Sequence, residues 1–149
     1  MSPEFDYISV NLRNAVRDRA RNHCEYCVCP ANYCPDSFTI DHTKPRQSGG
    51  PTTLENLAWS CHGCNSFKHV RTTFTDPETQ QEISLFNPRQ QSWSEHFQWN
   101  VDCTQMIGLT ACGRATIVAL KLNRPNVINL RRLLANAQLH PPSWLLESD

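Results

Sequence analysis

The chain has 149 residues, a formal net charge of zero and 39% hydrophobic residues, which suits one modest domain rather than one built on a single large core. It contains no run of about 18 or more apolar residues, which excludes a transmembrane helix. Ten prolines argue against long uninterrupted helices, and the neutral total gives no overall pull toward a polyanion.

The distribution of charge says more than its sum. Arg13 to Arg21 holds four arginines against one acid, Asp18, and Gly113 to Pro142 holds five basic residues and no acid. Acids gather near Asp76, Glu78 and Glu82. The opening MSPEFDYISVNL shows neither a basic n-region nor an apolar h-region, so an intracellular, cytoplasmic chain is expected. Eight cysteines in such a compartment point to metal binding rather than to a disulfide framework.

In chain order, residues 10 to 22 read as a helix. Leu12, Ala15, Val16 and Ala20 share one face, Ser9 caps the start, and Arg13, Arg17 and Arg21 recur every four residues on another face. That stripe is either a solvated face or a phosphate-contacting one. HCEYCVCPANYCPD follows as a turn-rich knuckle. SFTI is a short strand leading to Asp41-His42, TKPRQSGGPTTLEN a loop, LAWSC a second strand and CNSFKHVRTTF a helix beginning near Cys64. The sum is a ββα unit. Beyond Phe74, TDPETQQEISLFNPRQQSWSEHFQWN mixes turn residues with aromatics and packs over the core. CGRATIVALKLNRP and NVINLRRLLANAQ are helices separated at Pro125. The expected fold class is α+β, in a single domain over 1–149. It divides into a basic N-terminal helix (1–22), a knuckle and ββα core (23–75) and a helical extension (76–149).

Cys24-x-x-Cys27 and Cys61-x-x-Cys64 have the spacing with which two CxxC pairs hold one tetrahedral Zn²⁺. The 33 residues between the pairs exceed the roughly 15–20 of simple zinc ribbons, so the metal clamps the ends of an insert. The unit has few apolar anchors: Phe38, Ile40, Leu54, Leu57, Trp59 and Phe67. A structural metal would supply the stability such a core lacks. Four thiolates leave zinc no open position, so its role is structural. Cys29 and Cys34 lie close enough to be alternative ligands, while Cys103 and Cys112 read as packing residues.

Asp41-His42, Asn56, Asn65 and His69, in that order between the cysteine pairs and beyond, complete a pattern. The pieces Cys24-x-x-Cys27, IDHTKPRQSGG, TTLENLAWSC and CHGCNSFKH together resemble the HNH endonuclease family over roughly residues 20 to 75, and the tail resembles the extension of certain bacterial, notably cyanobacterial, members. The resemblance implies a ββα-metal fold and hydrolysis of double-stranded DNA to 5′-phosphate and 3′-hydroxyl ends. It implies His42 as general base and Asn56 as the residue that fixes the loop and orients His42. It further implies Asp41 and Asn65 as ligands of a catalytic cation, with His69 as a further ligand on the same helical face.

The chemistry of the residues supports those roles independently. A neutral imidazole suits proton abstraction from water. Asp and Asn oxygens are hard ligands that favour Mg²⁺ or Mn²⁺, and a histidine would shift the choice toward Mn²⁺, Ni²⁺ or Zn²⁺. Lys68 and Arg71, beside the site, join Arg13, Arg17 and Arg21 as candidates for phosphate contact. Neighbouring strand residues face opposite ways, so Asp41 and His42 can address one phosphate only where the strand ends or twists. A non-catalytic zinc module that binds nucleic acid is the rival, and a CxxC redox protein a more distant one.

Overall fold

Residues 7–146 are described by a computed structural model; residues 1–6 and 147–149, the ends of the expected 1–149 domain, lie outside them. Helix α1 (Val10–Arg19) starts as its sequence predicts, with the Ser9 hydroxyl accepting from the Leu12 N–H at 3.0 Å. It stops three residues short of Asn22 because Arg21 and Asn22 adopt left-handed backbone, with φ of 54° and 56°. Arg21 therefore stands beyond the helix, and the expected stripe ends at Arg17.

The knuckle leads into strand β1 (Thr39–His42), which pairs antiparallel with β2 (Leu57–Ser60), Asp41 opposite Ala58 and His42 opposite Leu57. Helix α2 (His62–Lys68) follows at once. It begins at the second cysteine pair and ends six residues before Phe74, so the helix read through RTTF is shorter than expected. Its last residues become a strand instead: β3 (Thr73–Thr75) pairs with β4 (Glu82–Ser84). The threonines and the aromatic of that stretch suit a pleated surface better than a helix.

The extension beyond residue 76 is not purely helical. A one-turn helix α3 (Trp93–His96) passes into β5 (Phe97–Trp99), which pairs with β6 (Met106–Gly108), before α4 (Ala111–Leu120) and α5 (Pro125–Asn136). Thr110 caps α4, accepting from Gly113 N–H, and Pro125 opens α5 at its first turn, where no N–H is needed. Small antiparallel sheets among helices make the fold α+β. The core runs from Val16 and Tyr26 through Leu57 and Trp59 to Phe86, Phe97, Leu120 and Leu122. Among the described residues no helix is long and apolar enough to cross a membrane.

The acidic hairpin is tied to α4 through Asp76, whose carboxylate accepts from Arg114 Nε and Nη2, both at 2.9 Å, and from the Thr79 hydroxyl at 2.8 Å. The Arg114 guanidinium holds the Asp76 carboxyl well below the usual carboxylate range. A carboxyl lowered by folding contributes stability that is present above its unfolded pKa and lost as pH falls toward its folded one. Asp76→Asn is expected to lower the melting temperature at pH 7 and to reduce the further drop below pH 4. Parallel acid limbs in melts of the two proteins would refute that.

Candidate active site and metal centre

The four cysteines converge. The sulfurs of Cys24, Cys27, Cys61 and Cys64 are buried and lie within 4.8 Å of one another. Tetrahedral zinc about 2.3 Å from each sulfur would set them about 3.8 Å apart, and Cys27 and Cys61 stand at 3.7 Å. Backbone N–H groups point at the leading sulfur of each pair: Tyr26 and Cys27 at Cys24, and Cys64 at Cys61, each at 3.4 Å. Cys61 also caps α2. Burial pushes the Cys24 thiol up, whereas hydrogen bonds from neighbouring cysteines draw the Cys61 thiol far down. Donors on sulfur and a buried tetrad suit Zn²⁺, and no other group of three or more His, Cys, Asp or Glu ligands forms among the described residues. Cys29 and Cys34 pair with each other, outside the cluster.

Asp41, His42, Asn65 and His69 line a single cavity of about 330 Å³, together with Ile40, Pro45, Arg46, Gln47 and Val70. The strand ends at His42, which lets two neighbours reach one cavity despite the pleat. His42 Nε2 lies 2.8 Å from the Thr52 hydroxyl, a contact across the loop that fixes the ring. Asn65 sits mid-way along α2, and its carboxamide makes no hydrogen bond among the described residues. His69 is the residue after the helix, not part of it. Its φ is 51°, and its N–H donates to the Asn65 carbonyl at 2.8 Å.

Asn56 does what a loop staple must. Its Oδ1 accepts from the Thr43 hydroxyl (2.7 Å) and the Lys44 N–H (2.9 Å), and its Nδ2 donates to the carbonyls of Lys44 (3.1 Å) and Pro51 (2.8 Å). None of these bonds goes to His42, so any orienting effect passes through the loop that carries Thr52. Gly50 permits the closure: a Cβ there would meet the Lys44 carbonyl oxygen at 1.8 Å. Asn56→Ala removes four bonds and leaves the part-buried backbone groups of Lys44 and Pro51 without those partners. It is expected to cost about 2–4 kcal/mol in urea unfolding; a loss below 1 kcal/mol would show that the loop holds itself.

Several sequence expectations need correction here. Lys68 is not a solvent-facing phosphate contact. It is 3% exposed and its ammonium pairs with the Asp41 carboxylate at 3.1 Å, because α2 ends with that side chain turned inward. Asp41 is itself 4% exposed and accepts from the Tyr26 hydroxyl at 2.6 Å. The arginine stripe is dispersed. Arg13 donates to the Phe38 carbonyl and stacks 4.7 Å from Trp59, and Arg17 pairs with Asp18. Arg21 lies over Trp144 in a separate cavity of about 490 Å³. Arg71 is exposed and lies over Phe74. Arg46, not singled out in the sequence, is the arginine that lines the His42 cavity. Tyr26, inside the first CxxC, and Thr52, in the loop, carried no signal beyond their neighbours.

Residues 24–71 match the family model described as HNH endonuclease, a span that takes in both cysteine pairs, β1, the stapled loop, β2 and α2. No curated protein and no solved structure matches the chain. The matched span coincides with the unit that the cysteine cluster clamps and that carries the His42 cavity. Through residues 24–71, then, about a third of its length, the chain is similar to the HNH endonuclease family.

Proposed function

We propose that the chain is a metal-dependent endonuclease that hydrolyses phosphodiester bonds of double-stranded DNA. The observation that carries this reading is the single cavity lined by Asp41, His42, Asn65 and His69. His42, its ring held by Thr52, takes the proton from the attacking water. Asn56 keeps the loop in place so that the imidazole meets the phosphate in one orientation. Asp41 and Asn65, with His69 at the rim, would hold one Mg²⁺ or Mn²⁺. When bound, that ion supplies the positive charge needed by the crowded phosphorane and the leaving 3′ oxygen. The free carboxamide of Asn65 suits this, while Asp41 offers a carboxylate already shared with Tyr26 and Lys68. Arg46 and Arg71, beside or near the cavity, contact phosphates, and the products carry 5′-phosphate and 3′-hydroxyl ends. The zinc of the cysteine cluster is structural.

A second reading rests on the Asp41–Lys68 ion pair, which neutralises the principal carboxylate without any cation. In that reading the chain is a zinc module that binds nucleic acid and cuts nothing. Incubation of supercoiled plasmid with the zinc-loaded protein and added Mg²⁺ or Mn²⁺ separates the two. Conversion to nicked or linear DNA supports the nuclease, and intact plasmid with every cation supports the module.

A further inference from the structure

Two arginines from the far end of the chain reach the cysteine cluster. Arg124, between α4 and α5, places Nη2 3.6 Å from Cys61 Sγ and 3.7 Å from Cys64 Sγ, and Nη1 3.7 Å from Cys64 Sγ. Its Nη1 also donates to the carbonyls of Leu120 and Lys121, and its guanidinium lies over the Phe67 ring at 5.4 Å. Gly63, between the second pair of cysteines, keeps that position open: a Cβ there would stand 2.7 Å from Arg124 Nη2. Arg131 on α5 is 2% exposed. It donates to the carbonyls of Cys27 (3.2 Å), Leu122 (2.7 Å) and Thr104 (3.0 Å) and to Asn123 Oδ1 (3.1 Å).

Neither arginine has a carboxylate partner among the described residues. A guanidinium cannot shed its proton, and a charge without a counter-charge is costly where it is buried, as at Arg131, and less so where it is half-buried, as at Arg124. Carbonyl oxygens satisfy hydrogen bonds but supply no net charge. Four thiolates around one Zn²⁺ carry two net negative charges, and two guanidiniums balance them.

The geometry points to Arg124 and Arg131 as the counter-charges of the zinc centre, which makes the α4–α5 unit an electrostatic latch over the metal. This rests on reading the cysteine cluster as a zinc site. Two consequences follow from the charge balance. Thiolates beside guanidiniums compete less well for protons and are weaker nucleophiles, so the zinc is held more tightly and the sulfurs resist alkylation. The arginines in turn need the zinc thiolates, so the C-terminal helices are secured by a metal bound through the N-terminal half.

The test uses the full chain loaded with zinc, first quantified for metal, then challenged with a chromophoric zinc chelator and, separately, with iodoacetamide. Arg124→Met is expected to weaken zinc retention about 10- to 100-fold and to speed alkylation of the cluster, with native circular dichroism in the loaded state. Arg124→Lys should recover part of the loss. Gly63→Ala, which leaves the guanidinium intact but displaces it, should shift retention the same way. Arg132→Met, an exposed neighbour on α5, should behave as the native protein. Native retention in Arg124→Met overturns the latch while leaving the zinc site standing, as does an equal loss in Arg132→Met. A native chain that takes up no zinc overturns the zinc reading itself, and the latch with it, before any variant is made.

Discussion

Alanine at position 42 is expected to slow divalent-cation-dependent nicking of supercoiled DNA by about 10²- to 10⁴-fold, the span that a positioned general base contributes. The side chain is half-buried at a cavity wall, and its Nε2 partner is a loop hydroxyl that water can serve once the ring is gone. Stability should therefore change by no more than about 1 kcal/mol, with zinc content and melting profile intact. That separation matters, because a fall in activity accompanied by loss of zinc would report unfolding rather than chemistry. Plasmid cut equally fast by His42→Ala and by the native chain would remove His42 from the mechanism.

The assay also bears on Asp41. A carboxylate neutralised by Lys68 and hydrogen-bonded to Tyr26 is firmly oriented, with both charges nearly out of water. Breaking such a pair by removing one partner leaves a buried charge uncompensated, typically a loss of about 3–5 kcal/mol. Substitutions at Asp41 or Lys68 thus confound folding with catalysis, whereas the half-buried His42 ring lies against Thr52 of the loop at the cavity wall. This is why the histidine, rather than the Asp41 carboxylate, is the residue on which to decide between nuclease and binding module.

Strands β1 and β2, the N-cap of α1 and the meeting of the four cysteines were legible because each depends on local chemistry. Ser9 caps whatever helix follows it, the Pro and Gly loop between β1 and β2 marks their ends, and CxxC spacing brings two sulfurs to one ion. The order of Asp41, His42, Asn56 and Asn65 could be read from the sequence, as could the loop that Asn56 staples. What could not be read was set by long-range packing. Whether Lys68 faces water or Asp41 depends on where α2 stops, and that depends on β3 drawing Thr73–Thr75 into a hairpin. Arg124 and Arg131 lie 60 and 104 residues from the cluster partners to which they bond, Cys64 and Cys27, and nothing in LNRP or NLRRLL announces a zinc centre. Periodicity reports which face of a helix is apolar; it does not report which charge sits opposite.

Removing the metal should have the larger effect on the molecule as a whole. Cys27→Ser, or exhaustive chelation of the native chain, is expected to abolish cooperative thermal unfolding, with loss of near-ultraviolet circular dichroism at 25 °C. Structural zinc sites contribute apparent free energies of about 10–16 kcal/mol, and a domain of this size has a net stability of about 5–15 kcal/mol. The first figure matches or exceeds the second, so no folded reserve is left once the site is lost. The position of the cluster sharpens the expectation. It joins the knuckle after α1 to the first turn of α2, and those two ends enclose β1, the Asn56 loop and β2. Arg131, bonded to the Cys27 carbonyl, extends the dependence to α5. Unfolding should accordingly spread in both directions from the sulfurs, exposing the backbone amides of α5 to hydrogen exchange as early as those of β2. A metal-free chain that melted cooperatively near the native temperature, with α5 still protected, would show that the apolar core from Val16 to Leu122 holds the fold without a clamp.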